Sequence, residues 1–450
     1  METSNTPTEV EGAMATKLSS ITKRARRNPQ EQFTSLAHLL NEDSLKGCFR
    51  ELKRDKASGI DGVRYEEYEA NLEENLKDLV GRMKAWRYRP LPVRRVYIPK
   101  TNGGKRPLGI PAIEDKIVQT GIKKILEAIY EVDFQDVSYG FRPNRNCHQA
   151  LNAVDQAIMT KPINVVVDMD IEKFFDTIDH KKLIEVLRHR IKDTSLLRLI
   201  VRVLKSGVME EGKLVPTDKG APQGGNLSPL LANIYLHYIL DLWFEHQLKN
   251  QLKGYAQLVR FADDFVVCFQ SQREAETFRE ALKVRLSEYG LKVAEGKSRV
   301  IAFGRYVWEK TQRFGGKPQT FDFLGITHYC DKTRGGKFKL GRKTARVKFI
   351  QKIKEMNIWL KSVRNAVKLK QWWPILITKL AGHYRYYGVS GNSYCIRIFY
   401  NQTVKLAFKW INRRSQKKSY NWAQFNRVLQ FNPLPKPKIY HQLYTLSSAY

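Results

Sequence analysis

The chain has 450 residues, 42% of them hydrophobic, enough to bury sizeable cores in two to four packed units and to exclude wholesale disorder. Its formal charge of +33 is uneven: residues 301–450 hold 30 Lys and Arg against 4 Asp and Glu, a surplus of 26. One sign of field over an aromatic-rich segment calls for a polyanion partner, the alternative being a solvated charged face; no run of about 18 apolar residues exists to span a bilayer.

The first 20 residues, METSNTPTEVEGAMATKLSS, lack the apolar core of a signal peptide. With the basic KRARRNP at 23–29 they read as a disordered lead over residues 1–34. Residues 31–87 predict helices, because apolar side chains recur every three to four positions, with a break at Ser58-Gly59-Ile60-Asp61-Gly62. RRVYIPKTNGGKRPLGIP (94–111) predicts a β-hairpin about Asn102-Gly103-Gly104 with basic residues on both arms. INVVVDMDI (163–171) predicts a buried strand followed by helix, and SPLLANIYLHYILDLWFEHQL (228–248) a long apolar helix entered at Ser228-Pro229. LVRFADDFVVCF (258–269) reads as strand–turn–strand, followed by an amphipathic helix over 272–289 and by KVAEGKSRVIAF. After about residue 333 the pattern turns helical and strongly basic. The expectation is an α+β body with an α-helical C-terminal domain, without internal repeats. Cys48, Cys147, Cys268, Cys330 and Cys395 are odd in number and never spaced as CxxC, which argues against a disulfide framework or zinc site and fits a reducing cytoplasm.

Asp263 and Asp264 interrupt an otherwise apolar strand pattern. Aspartate favours turns, so the pair alone decides little. VVVDMDIEKFF adds Asp168 and Asp170, which share one face of a strand because side chains repeat every two residues. Neighbouring strands would bring the two acidic sites within a few ångströms of each other. Clustered carboxylates do not all stay ionised cheaply without a cation among them. Oxygen ligands of this kind suit Mg²⁺, which takes one or two carboxylates plus water and substrate phosphates.

VVDMDIEKFFDTIDH, APQGGNLSPLLANIYL and RFADD stand in the order and spacing of a reverse transcriptase palm. IPKTNGGKRPLGIP, VSYGFRPNRNCHQAL, FDFLGITHY, SGIDGV and LAGHYRYYGVSGN extend the match over about residues 35–445. The chain resembles a group II intron-encoded reverse transcriptase/maturase. The resemblance implies a right-hand polymerase: an N-terminal extension and fingers over 35–162, a ferredoxin-like palm over 163–332, and a helical thumb and maturase domain over 333–450. It implies cytoplasmic, nucleoid-associated work on dNTPs, an RNA template with a DNA primer, intron RNA and target DNA.

Position by position, the resemblance makes Asp170 the first metal-binding aspartate, since the aromatic that screens the sugar 2′-position, Phe175, lies five residues on. Asp168 becomes a structural acid. Asp263 matches the other principal ligand of two Mg²⁺ ions, for which Mn²⁺ can substitute, and Asp264 shares the signature. Lys100 and Arg106 flank the hairpin turn that grips the triphosphate, a guanidinium meeting phosphate oxygens bidentately. Gln223, Gly224 and Gly225 match the loop under the nascent base pair. Lys297 matches the proton donor to pyrophosphate, although Ala294 stands where the family often has Asn. Arg142 in GFRPNR is expected at the template or fingers, with pairing to an acid as the alternative.

The C-terminal third supplies binding. Trp372, Trp373, His383, Tyr384, Tyr386 and Tyr387 alternate with basic residues, most of them expected as bundle core. Arg385, Arg413, Arg414, Lys417 and Lys418 are the expected RNA contacts. No Cys/His-rich cluster ends the chain, which predicts a maturase without its own endonuclease. The expected function is RNA-directed DNA synthesis combined with splicing assistance and target-primed mobility. The alternatives are a relative recruited to phage defence or repair, and a non-catalytic RNA-binding splicing cofactor.

Overall fold

A computed structural model describes residues 7–99, 104–221, 224–414 and 419–444. Its strands, in chain order, are β1 (Val93–Pro99), β2 (Lys105–Ile110), β3 (Val165–Met169), β4 (Val208–Glu210), β5 (Lys213–Val215), β6 (Ala256–Phe261), β7 (Asp264–Phe269), β8 (Arg299–Ala302), β9 (Phe321–Phe323), β10 (Ile326–Lys332) and β11 (Phe338–Thr344). They form three sheets, ordered β2-β1-β4-β5, β6-β7-β3-β8 and β11-β10-β9.

The second sheet explains the unbroken apolar runs in the sequence. Val165, Val167 and Met169 of β3 point into one core and Val166 into another; Phe265, Val267 and Phe269 of β7 divide from Val266 and Cys268 in the same way. Both faces are covered, so neither strand keeps a polar side to alternate with. The first core is shared with helices Ile113–Tyr130, Ser228–Leu236 and Gln272–Glu288. The second is shared with helix Cys147–Thr160, the third sheet and the C-terminal helices Arg346–Ala366, Leu369–Tyr387 and Ser393–Ile411. Helix Cys147–Thr160 starts where it does because the Asn146 side chain accepts from the amides of His148 and Gln149, at 3.0 and 3.1 Å, while Gln149 reaches back to the Asn146 amide.

Three stretches depart from expectation. Residues 7–27 of the lead form a helix, Pro7–Arg27, instead of disorder. Ile21 and Ala25 are buried in the first core, and the Thr22 hydroxyl donates to the Ala128 carbonyl at 3.0 Å. Residues 338–344, expected as helix, are strand β11: Phe338 and Leu340 alternate into the core, a period of two that the surrounding lysines and arginines mask. The 228–248 helix is α-helical only over Ser228–Leu236 and continues as π-helical turns over His237–Asp241 and Trp243–Leu248. Such turns are rare and often sit beside functional sites.

Candidate active site

The sheet register assembles the acids. Asp168 stands opposite Val266 of β7 and Arg299 of β8. Two residues on, just past the end of β3, Asp170 leaves the sheet on the same face, and continuing the β8 register sets it opposite Lys297. The contact is direct: Lys297 Nζ lies 2.7 Å from Asp170 Oδ2, both groups open to solvent. The main chain fixes Asp170 further, its carbonyl accepting from the Ala294 amide at 2.8 Å.

Asp263 occupies the turn between β6 and β7, and Asp264 begins β7 opposite Phe261. Ala262, the first turn residue, has φ of 58°, a left-handed conformation that costs a residue with a Cβ about 1–2 kcal/mol. Two contacts impose it. The Arg260 guanidinium donates to the Ala262 carbonyl at 3.0 Å. Gly140 packs its backbone against the turn so closely that a Cβ there would lie 2.4 Å from the Ala262 nitrogen. Arg260 itself is fully buried, paired bidentately with the equally buried Asp241 and bonded to Asn233 Oδ1 at 3.0 Å. Asn233 in turn donates to the Gly140 carbonyl at 2.6 Å, closing a ring of buried polar groups around the hairpin.

The electrostatics distinguish the four acids. Burial pushes the Asp168 carboxyl up while Arg299, 3.2 Å away, holds it down, so this acid has a resident partner. Burial raises Asp263, with Asp170 adding to the rise and Arg106 and Arg260 opposing it. Asp264 is reachable by solvent, yet protein encloses most of its surroundings; that enclosure, then Asp168 and Asp263, push its carboxyl up to about 7, against a hydrogen bond from the Leu324 amide. Asp170 thus raises Asp263, and Asp168, Asp263 and Asp170 raise Asp264, a crowding of acids that favours a cation among them. Among the described residues no three His, Cys, Asp or Glu side chains converge as a metal cage. The donor set fits a hard cation that draws its remaining ligands from water and substrate phosphates.

The other expected residues distribute unevenly. Arg106 is exposed on β2, and Asp263 feels its charge. Phe175 is half-buried at the start of the short helix Phe174–Thr177; its carbonyl accepts from the Ala221 amide at 2.7 Å, which ties it to the loop holding Gly224 and Gly225. Gly224 is required by its conformation and by the backbone beside it, whereas a Cβ on Gly225 would displace only the end of a side chain. Gly224 has φ of 114°, and a Cβ there would lie 2.5 Å from the Gly109 carbonyl of β2; one on Gly225 would lie 2.6 Å from the Gln119 side chain. Arg142 faces inward: its guanidinium pairs with Glu131 at 2.8 Å and donates to the carbonyls of Gln135 and Ser138 at 2.8 Å each. The structure therefore gives Arg142 the acid partner that the sequence reading held as the alternative to template contact. Arg385, Arg413 and Arg414 are exposed on the C-terminal helical region, while Trp372, Trp373, His383, Tyr384 and Tyr387 are buried core. Lys100, Gln223, Lys417 and Lys418 lie outside the described residues.

Sequence reasoning missed Arg260, Asp241, Gly140 and Leu324. An arginine inside an apolar strand was the available signal for Arg260, since such a charge needs a buried partner. The Leu324 contact also brings the C-terminal region to the site: the Tyr386 hydroxyl donates to the Leu324 carbonyl at 3.0 Å.

The reverse transcriptase (RNA-dependent DNA polymerase) family profile matches residues 98–328, a stretch holding all of these acids. Residues of this chain are 42% identical to the group II intron-encoded protein LtrA of Lactococcus lactis subsp. cremoris over 222 residues, 49% of this chain and 37% of LtrA. They are 34% identical to Protein YkfC of Escherichia coli (strain K12) over 295 residues, 57% of this chain and 77% of that protein. An uncharacterized 91 kDa protein in the cob intron of Schizosaccharomyces pombe is 35% identical over 238 residues, 52% of this chain and 29% of its own length. The match thus spans little more than a third of LtrA. Among the described residues no helix is long and apolar enough to cross a membrane.

Proposed function

The chain belongs to the reverse transcriptase family, and we propose that it is a group II intron-encoded enzyme that extends a DNA primer on an RNA template. The observation that carries this reading is the convergence of Asp170, Asp263 and Asp264 at one end of the β6-β7-β3-β8 sheet, with Lys297 on Asp170 and the charge of Arg106 reaching Asp263. In this reading the N-terminal half and the β1–β2 hairpin are fingers, the second sheet is the palm, and the C-terminal helices are thumb and maturase domain.

Asp170 and Asp263 would hold Mg²⁺, with Asp264 beside them. Bound there, divalent cations would lower the pKa of the attacking 3′-hydroxyl and neutralise charge on the departing pyrophosphate. Arg106, with Lys100, binds and orients the triphosphate. Phe175 sets an aromatic wall against the sugar 2′-position, and the Gly224-Gly225 loop carries its neighbouring base pair. Lys297 Nζ holds the proton that the leaving pyrophosphate takes up, and Asp170, 2.7 Å away, positions it. Exposed Arg385, Arg413 and Arg414 bind intron RNA through its phosphates, favouring the folded state; splicing chemistry then belongs to the RNA, and target DNA supplies the primer.

Primer extension on poly-rA/oligo-dT with Mg²⁺ tests the reading. Wild type is expected to incorporate dTTP and Asp263→Asn to lose at least a thousandfold in rate with its melting temperature intact. Equal incorporation by the two proteins contradicts it and favours a non-catalytic RNA-binding cofactor.

A further inference from the structure

At the C-terminal end of helix Leu72–Lys84 the chain turns through Trp86, whose φ is 59°. A bulky aromatic in the left-handed region is a genuine outlier, and strain of this kind persists only where the surroundings enforce it. The indole is nonetheless exposed, at 40% of its surface. Two guanidinium groups from successive turns of helix Thr194–Leu204 lie over its ring, Arg198 at 5.4 Å and Arg202 at 5.7 Å from the centroid. Beneath it opens a cavity of about 440 Å³ lined by His38, Met83, Trp86, Tyr88, Leu199 and Arg202.

The charge around this aromatic is uncompensated. Lys84, Arg87, Arg89 and Arg198 are exposed, Arg202 is half-buried, and none of the five forms an ion pair with a carboxylate among the described residues. Arg89 and Arg202 donate only to main-chain carbonyls, both reaching that of Tyr88. Partial enclosure first, and then Arg89 and Arg198, pull Arg202 below its ordinary value, the signature of cations crowded without an anion. The nearby acids are already engaged: Asp78 and Glu114 by Arg82, and Asp115 by the Tyr88 hydroxyl. A surface of this composition presents a half-exposed indole layered with guanidinium groups and leaves the anionic partner to come from outside.

We propose that Trp86, Arg198, Arg202 and Arg89 form a binding site for single-stranded RNA, with one base stacked on the indole and adjacent phosphates held by the guanidinium groups. Base stacking on an aromatic combined with phosphate neutralisation by arginine is how proteins hold unpaired strands. A duplex keeps its bases within the stack and cannot offer one to the indole, which sets the selectivity. The left-handed turn at Trp86 lifts the ring to the surface between the helix that ends at Lys84 and the Thr194–Leu204 helix. None of the residues in this site belongs to the acidic centre, so the site stands or falls separately from the polymerase reading.

The test uses the full chain and a fluorescent single-stranded RNA 12-mer, with affinity measured from 50 to 300 mM salt. Arg198→Ala/Arg202→Ala is expected to lower the slope of log affinity against log salt by about 1.4, two phosphate contacts at about 0.7 each on a single strand. Trp86→Ala is expected to weaken binding about tenfold at unchanged slope, and Trp86→Phe to recover most of that loss. Melting temperatures accompany each variant; should Arg198→Ala/Arg202→Ala unfold, Arg198→Gln/Arg202→Gln retains the stems and removes the charge. An unchanged salt slope in a folded double variant overturns the site. So does a Trp86→Ala loss that is equally large for a blunt RNA duplex.

Discussion

Two oppositely charged pairs, each involving an aspartate, lie close together in this protein and behave in opposite ways. Arg260 and Asp241 are both fully buried and satisfy each other bidentately, with Asn233 and the Ala262 carbonyl completing the guanidinium. Lys297 and Asp170 meet at 2.7 Å with side-chain exposures of 73% and 39%. The buried pair holds the hairpin that carries Asp263 in a strained turn. The open pair leaves its carboxylate available to a cation and its ammonium available to a leaving group. The contact itself says little: what surrounds a charge decides whether it supports structure or chemistry.

Breaking the buried pair has the largest expected effect. Asp241→Ala leaves the Arg260 guanidinium buried without its acid and is expected to cost about 3–5 kcal/mol in urea unfolding. Activity falls with it, because Ala262 loses the contact that enforces its conformation, and excess Mg²⁺ does not restore it. Next comes the open pair. Lys297→Ala is expected to slow single-turnover nucleotide addition about a hundredfold, about 2.7 kcal/mol, while changing unfolding stability by less than about 0.5 kcal/mol. Stability lost in the lysine variant, or retained in the aspartate variant, would collapse the distinction between the two pairs.

A third site, a buried histidine, sharpens it from the acid side. His328 of β10 is fully buried, stacked on Phe321 at 4.7 Å, and burial with the neighbouring Arg342 pushes its imidazole down to about 3. The unfolded chain takes up a proton near 6.5 that the folded chain refuses until about pH 3, so stability falls as pH drops through that window. Between pH 7.5 and 5.5 this one group is expected to remove about 1.4 kcal/mol, and His328→Phe to flatten the urea-unfolding profile by one proton. An identical pH profile in the variant would mean that His328 is protonated in the fold.

Much of the acidic centre was legible because its physics is local. VVVDMD puts two acids on one strand face by period alone, and ADD at a strand break marks a hairpin tip. The preference for Asp170 over Asp168 came from the resemblance, through the spacing to Phe175; in the fold both acids carry a cationic partner, Lys297 at 2.7 Å and Arg299 at 3.2 Å. The supporting network was not legible, because Arg260 and Asp241 meet only after a π-helical stretch shifts the register of the 228–248 segment. Arg142 looked the same in sequence whether it faced RNA or Glu131. β11 was hidden because KFKLGRKT reads as charge before it reads as alternation, and the N-terminal helix because its amphipathic face needs the 113–130 helix to rest on.

Whether Asp170, Asp263 and Asp264 hold a divalent cation is tested most directly with Fe²⁺ in place of Mg²⁺. Hydroxyl radicals generated at the bound iron are expected to cut the backbone around residues 168–171 and 262–265, with added Mg²⁺ suppressing the cuts and Asp263→Asn abolishing them. Cleavage elsewhere in the chain, or the same cuts in Asp263→Asn, would contradict it.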